Sequence, residues 1–322
     1  MDLKGKRILF IGPVFYTYHT NIVSELESLG MNVDFFAERS YSVYYEFSKK
    51  ISKKLYKYNI NRHLDNILKN IKDDYDYFLL IRGEIITTEF IDRIRNYNQT
   101  AKFIMYQWDT STANKNFLKT MYKFDKIITF DRDDAKKYSL DYLPLFYIDM
   151  YKNLKLNSQR IYDIIFYGGY HTDRLKVLKK IDKECNRLNL KFKYHLVIAP
   201  IPFLKRLLTN KIKLNELKYI SFKNVTTSEI LKNYKISKAV LDIEFSGQNG
   251  STIRTVETLA SGLKLITTNK KIKHEIFYDC AYINVIDKNN PKIDINFFET
   301  VSKTKNNMEE YSINSWLLNI LK

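Results

Sequence analysis

Apolar and polar positions along the chain follow two periods. Short apolar runs bounded by turn residues occur at 7–12 (RILFIG), 32–38 (NVDFFAE), 75–83 (YDYFLLIRG), 102–110 (KFIMYQWDT) and 126–134 (KIITFDRDD). Near-continuous apolar runs of this length read as strands buried on both faces of a parallel sheet. Helical spacing fills the intervals: within 20–29, Ile22, Val23 and Leu26 recur on one face, and 40–72 reads as one helical segment. The pattern breaks over 143–160, which reads as a linker. A second series then begins, with strands predicted at 162–169, 193–199, 219–225, 239–244, 264–269 and 281–286, and WLLNIL as a final helix. Strands alternating with helices in two blocks predict an α/β protein of two Rossmann-like domains facing a cleft, the first over 1–150 and the second over 161–300.

The most informative stretch is 245–269, FSGQNGSTIRTVETLASGLKLITTN. It reads as a strand end, a loop with Gly247 and Gly250, a helix opening near Ser251, and another strand. Ile253, Val256 and Ala260 share one helical face, and Gly262 stands where a left-handed cap ends a helix. Such a loop and helix start lie at the carboxyl end of a parallel sheet, where ligands bind. The first helical N–H groups lack internal partners and suit a phosphate, to which Arg254 can add a bidentate contact. Glu257 lies about 40° around the helix from Ile253, placed to accept from ribose hydroxyls. Arg254 and Glu257 can equally form an exposed i,i+3 pair, and the spacing leaves both readings open.

Other strand ends are polar too. Arg82, Asp109 and Asp131 close three successive runs, and Gly168–Gly169 lets the backbone approach a ligand before a helix that carries Arg174 in its first turn. The loop after the first strand, Gly12-Pro13-Val14-Phe15-Tyr16, lacks G-x-G-x-x-G, which argues against a dinucleotide site. Asp131-Arg132-Asp133 and Asp74-Tyr75-Asp76 both read D-x-D, but one falls where aspartate caps a helix and the other in a helix-to-strand turn. No metal site is expected from either.

Composition narrows the class. A hydrophobic share of 45% in 322 residues is globular and allows two domains. No run approaches the ~20 apolar residues that span a bilayer. Two cysteines, Cys185 and Cys280, are too few for a disulfide scaffold. The first residues enter a strand at once, so no cleaved signal is expected and the cytoplasm fits. The net charge of +17 favours anionic partners, namely sugar nucleotides, anionic lipid or nucleic acid, although a Lys-, Asn-, Ile- and Tyr-rich composition of the kind an AT-rich genome produces gives the same sign. Residues 48–72 carry Ile51, Leu55, Leu64, Ile67, Leu68 and Ile71 among lysines. They read either as a basic helix on an anionic membrane or as an outer helix of the domain.

The segment TIRTVETLASGLKLITTN resembles the nucleotide-sugar-binding segment of GT-B glycosyltransferases, in particular the CgeB-like and lipopolysaccharide- or capsule-biosynthesis groups. Gln248, Gly250, Thr252, Arg254 and Glu257 match their Q-x-G-x-T-x-R-x-x-E pattern. The resemblance implies sugar transfer from a nucleotide-activated donor to a glycan or glycolipid acceptor in surface polysaccharide synthesis; the expected location is the cytoplasm, where the basic segment 48–72 leaves open a peripheral contact with the inner face of the plasma membrane. It implies no cofactor, no metal and no nucleic acid. Donor contacts would come from Gly168, Gly169, Arg174, Val225, Gln248, Gly250, Ser251, Thr252, Arg254 and Glu257, with Val225 cupping the base. Arg254 and Arg174 would stabilise the leaving diphosphate. An inverting reaction would need a base for the acceptor hydroxyl, for which Asp109, beside Trp108 as in the family's WD position, is the first choice and His19 the second. A terminal helix over 301–322 would pack back on the first domain. The chain departs from the E-x7-E of retaining relatives, because position 249 is asparagine. Two alternatives stand beside this one: a GT-B-like nucleotide-sugar epimerase or hydrolase, and a basic polyanion-binding protein.

Overall fold

The computed structural model describes residues 2–152, 154–170, 172–244, 250–300 and 308–322. The chain divides into two compact units, one of Met1–Leu145 with Ile313–Lys322 and one of Phe146–Ser312.

In the first unit the chain runs β1 (Arg7–Gly12), α1 (Tyr18–Ser28), β2 (Asn32–Ala37), α2 (Val43–Ile51), α3 (Lys53–Asn70), β3 (Tyr77–Ile81), α4 (Thr88–Tyr97), β4 (Lys102–Gln107), α5 (Phe117–Thr120), β5 (Lys126–Thr129), α6 (Arg132–Tyr138) and β6 (Asp141–Tyr142). The described strands form a parallel sheet of order β2-β1-β3-β4-β5-β6, with Ile8 facing Val33 on one side and Tyr77 on the other. The chain reverses direction across the sheet between β1 and β3, which makes that junction the switch point.

The second unit runs α7 (Asp149–Lys152), β7 (Tyr162–Gly169), α8 (Thr172–Arg187), β8 (Phe192–Val197), α9 (Pro200–Leu208), β9 (Ile220–Ser221), α10 (Thr227–Lys235), β10 (Ser237–Asp242), α11 (Ile253–Ala260), β11 (Lys264–Thr267) and β12 (Ile283–Val285). Its sheet is also parallel, in the order β12-β11-β10-β7-β8-β9, so its switch point lies between β7 and β10. Helix α12 (Ile313–Leu321) belongs to the first unit, where Asn314 donates to Glu25 Oε1 at 2.6 Å and Trp316 packs edge-on to Tyr106 with ring centroids 4.8 Å apart.

Each sheet is covered on its faces by apolar side chains. Leu9, Ile11, Phe78, Leu80, Phe103 and Met105 form one core with α3 and α4, while Ile164, Phe166, Ala239, Leu241 and Ile266 form another with α8. Where strands are buried on both sides, β-branched and aromatic runs are what the sheet requires.

Three elements differ from the sequence reading. Residues 40–72 are two helices rather than one, because Ser52 is extended (φ −149°, ψ 121°) and its side chain caps α3 by accepting from Leu55 N. The apolar run at 219–225 pairs only over Ile220–Ser221, at the edge of the sheet. The run from 126 stops at Thr129, because Asp131 caps α6 by accepting from the N–H groups of Asp133 and Asp134 at 3.0 and 3.1 Å. In the other D-x-D, Asp76 accepts from Arg7 N and Lys6 Nζ, both at 2.8 Å, and Asp74 pairs with Arg7.

Candidate functional site

The second unit gathers its candidate residues at the switch point between β7 and β10. Helix α11 begins there because Thr252 caps it. The Thr252 hydroxyl accepts from Thr255 N at 3.3 Å and donates to Asp242 Oδ2 at 2.8 Å. Asp242, the last residue of β10, is 1% exposed and also receives Thr255 Oγ1 at 3.3 Å. Its other oxygen, Oδ1, stands 3.6 Å from Arg254 Nη1 without a hydrogen bond among the described residues. The far end of the helix closes as expected. Gly262 has φ +71°, and the N–H groups of Gly262 and Leu263 turn back to the carbonyls of Leu259 and Thr258.

Arg174 serves this junction differently from a surface arginine. Its Nε and Nη2 donate to Ile243 O at 3.1 and 2.7 Å, and Nη1 donates to Gly169 O at 2.8 Å. The guanidinium therefore ties the segment after β10 to the end of β7. Burial, and then the neighbouring Arg254 guanidinium, push its pKa down from 12.5 to about 10. Arg254 reaches Asp242 and Arg174 reaches the next residue, Ile243, so both guanidiniums lie at the carboxyl end of β10. Glu244 is itself engaged by Thr268 and Lys288. Gly168 is required on this side, since a Cβ there would meet Phe166 Cζ at 2.8 Å and Arg174 Nη1 at 3.3 Å. A Cβ on Gly169 would meet nothing within 4 Å, so that position faces open space.

Ser251, 2% exposed, buries a hydroxyl that has no hydrogen-bond partner among the described residues. Gly250 immediately precedes it, and its carbonyl receives Asn269 Nδ2 at 3.5 Å. Glu257 is 5% exposed, which removes the exposed-pair reading. Its carboxylate is hydrogen-bonded by the buried Tyr151 of α7, whose phenol pKa is pushed up by burial and by that carboxylate. Val225 is half-buried just before Thr226, the cap of α10, four residues past the edge strand β9 and so away from the β7–β10 junction. Gln248 lies outside the described residues.

The first unit holds a different arrangement at the carboxyl ends of β2, β3 and β4. Arg82 adopts φ +72° and Gly83 φ +69°, a left-handed pair directly after β3. A non-glycine residue in that region is strained and persists only where its surroundings hold it. Here the Arg82 carbonyl is held by Gln107 Nε2 at 2.9 Å and Asn114 Nδ2 at 2.7 Å, from two buried amides. The side chain pairs with Glu38 at 3.2 Å, Glu84 at 2.7 Å and Asp109 at 2.9 Å. Glu38 is fully buried, and burial outweighs the attraction of Arg82, lifting its carboxyl pKa from 4.5 to about 7. The Asp109 carboxyl is raised too, by burial first and opposed by Arg82. His19, on α1, carries a buried Nδ1 with no hydrogen-bond partner among the described residues, and burial lowers its pKa. Among the described residues, no group of three His, Cys, Asp or Glu side chains is arranged to hold a metal ion, and no helix is long and apolar enough to cross a membrane.

Asp242, Tyr151, Glu38 and Glu84 were not candidates from the sequence. Asp242 had a signal, as an acid inside the apolar run AVLDIE. Tyr151 and Glu38 are brought in by contacts distant along the chain, whereas Glu84 lies two residues past Arg82 and carried no pattern of its own.

No protein-family model matches the chain, and no curated protein sequence does. Solved structures resemble it along nearly its whole length. A glycosyltransferase from Rickettsia africae is 14% identical with a TM-score of 0.56, over 98% of this chain and 97% of that one. The apo form of the lipopolysaccharide outer core galactosyltransferase WaaB is 12% identical with a TM-score of 0.55, over 97% of each chain. The UDP-GlcNAc 2-epimerase of Methanocaldococcus jannaschii, in complex with UDP-GlcNAc and UDP, is 13% identical with a TM-score of 0.53, over 98% and 99%. At these identities the likeness is one of architecture: the chain has the GT-B fold of two Rossmann-like domains, which glycosyltransferases and UDP-GlcNAc 2-epimerases share.

Proposed function

We propose that the protein is a metal-independent glycosyltransferase, moving a sugar from a nucleoside-diphosphate donor to a glycan or lipid-linked acceptor in surface polysaccharide synthesis, in peripheral contact with an anionic membrane. One observation carries this reading: Arg254 stands 3.6 Å from Asp242 and Arg174 holds the next carbonyl, Ile243 O, so two guanidiniums lie at the end of β10, near a buried Ser251 hydroxyl that has no hydrogen-bond partner among the described residues. Two close guanidiniums repel, and a bound diphosphate relieves that repulsion. In this reading Gly168, Gly169, Val225, Gln248, Gly250, Ser251 and Thr252 surround the donor, and Glu257 holds its ribose. As the bond to the sugar breaks, charge grows on the leaving diphosphate, and Arg254 stabilises it. Asp109 takes the acceptor proton, with His19 as the alternative. The raised pKa of Asp109 suits a base, and the lowered pKa of His19 keeps its ring neutral.

The epimerase reading has support of its own, since UDP-GlcNAc 2-epimerases are among the structures of similar fold. Acceptors separate the two. The test is a thermal-shift panel of nucleoside diphosphates and their sugars, followed by turnover with and without oligosaccharide acceptors. A melting shift with one nucleotide, and turnover that an acceptor raises and Asp109→Asn abolishes without loss of donor binding, is the expected result. No shift with any nucleotide overturns both readings, and acceptor-independent turnover favours the epimerase.

A further inference from the structure

Helix α2 presents an apolar stripe that the domain does not cover. Val43, Tyr44, Phe47 and Ile51 are 87%, 56%, 58% and 60% exposed. At about 100° per residue they fall within a ~100° arc of the helix. The helix docks by a neighbouring arc. Tyr45 and Ser48 are buried, the Tyr45 hydroxyl meets Tyr56 OH at 3.2 Å, and Lys49 reaches Glu84 at 3.9 Å. Its stripe therefore points away from the core. The loop after β1 adjoins it, because Val14 N donates to Tyr41 OH at 2.8 Å, and Phe15 and Tyr16 are 48% and 59% exposed. Helix α3 behaves oppositely, turning Leu64 and Ile67 into the core. Lys50 borders the stripe on α2, and Lys53, Lys54 and Lys57 follow in the first turns of α3, all exposed and none ion-paired among the described residues.

We propose that α2 is a membrane-docking helix, which sinks Val43, Tyr44, Phe47 and Ile51 into the interfacial zone of an anionic bilayer while the adjoining lysines meet its headgroups. A contiguous apolar patch on a water-facing helix marks an interaction surface. The choice of occupant follows from charge. A second copy of this chain would bring its own unpaired lysines against these, on a protein of net charge +17, whereas an anionic bilayer neutralises them. An apolar stripe beside a lysine-rich face is the pattern of a helix lying in the membrane interface. The proposal names the surface for the membrane contact in the preceding reading, and it does not depend on sugar transfer.

The experiment is co-sedimentation of the full chain with vesicles of phosphatidylcholine alone or with phosphatidylglycerol, at low and high salt. The wild type should pellet with the anionic vesicles and weaken as salt rises. Phe47→Glu/Ile51→Glu should lower that binding about tenfold or more, and Lys53→Ser/Lys54→Ser/Lys57→Ser should lower it and flatten its salt dependence. Both variants alter exposed positions, so their melting temperatures and nucleotide-induced shifts should match the wild type; a nucleotide shift with no vesicle binding would overturn the docking surface and leave sugar transfer standing. Wild-type binding that Phe47→Glu/Ile51→Glu leaves intact overturns it. So does a dimer, seen by sedimentation equilibrium, that this variant dissolves while the wild type ignores vesicles.

Discussion

Arg174→Met distinguishes a strut from a simple ligand contact. The guanidinium donates three hydrogen bonds, two to Ile243 O and one to Gly169 O. Methionine keeps the aliphatic stem and leaves those two carbonyls without their donor, at about 1–3 kcal/mol each. The charged form is already disfavoured: a pKa lowered from 12.5 to about 10 corresponds to about 3 kcal/mol. Three charge-assisted bonds of about 1.5–3 kcal/mol each, less that penalty, give about 1.5–6 kcal/mol. The two routes overlap at a loss of stability of about 2–6 kcal/mol. Urea unfolding of wild type, Arg174→Met and Arg174→Lys, without ligand, measures it. Lysine should recover only part, since one ammonium cannot reproduce the fork that bridges two carbonyls. An unliganded Arg174→Met variant as stable as wild type within about 0.5 kcal/mol, yet unable to bind nucleotide, would refute the strut and leave Arg174 a ligand contact alone.

Arg254→Ala should cut kcat by about a hundredfold or more at saturating substrates, with Arg254→Lys recovering part, as the proposed role of Arg254 in stabilising the leaving diphosphate requires; a change confined to donor KM would mark it as a binding residue. Glu257→Ala should weaken nucleotide binding by about 1–3 kcal/mol in a titration of the folded variant, and unchanged affinity would restrict Glu257 to its bond with Tyr151. Glu38 binds its proton more tightly folded than unfolded, so its contribution to stability is full below pH 4.5 and is lost as pH rises to about 7. That loss, about 3 kcal/mol over the interval, should appear as a declining stability-versus-pH curve in the wild type and be absent from Glu38→Gln. Transfer should survive EDTA; activity lost there and restored only by manganese or magnesium would remove the metal-independent mechanism.

Much of the architecture could be read from period alone. Strands buried on both faces must be continuously apolar, so the sheets announced themselves, and local chemistry placed several ends. Asp131 caps α6 and Gly262 takes the left-handed cap of α11 because each role is decided within a few residues. The break at Ser52 escaped for the opposite reason. Its extended backbone interrupts a run whose spacing continues on both sides, and nothing in the helical period reports a two-helix corner.

The candidate sites were legible only as far as sequence neighbours make them. Thr252, Arg254 and Glu257 share one helix, so their spacing could suggest a ligand. What decides their electrostatics comes from elsewhere: Asp242 from the preceding strand, Tyr151 from α7, and Arg174 from across the β7–β10 junction. The same holds for Arg82. Its identity at the end of β3 was plain, but its left-handed backbone depends on Gln107 and Asn114, both distant in sequence. Without those two amides a left-handed arginine would relax, and its side chain would no longer reach Glu38, Glu84 and Asp109 together. The strain at Arg82 is thus maintained by buried polar groups whose described hydrogen bonds serve the loop around it. Strain retained in this way beside a raised carboxyl is the physical ground for looking to this sheet edge, rather than to the lone His19, for the proton acceptor.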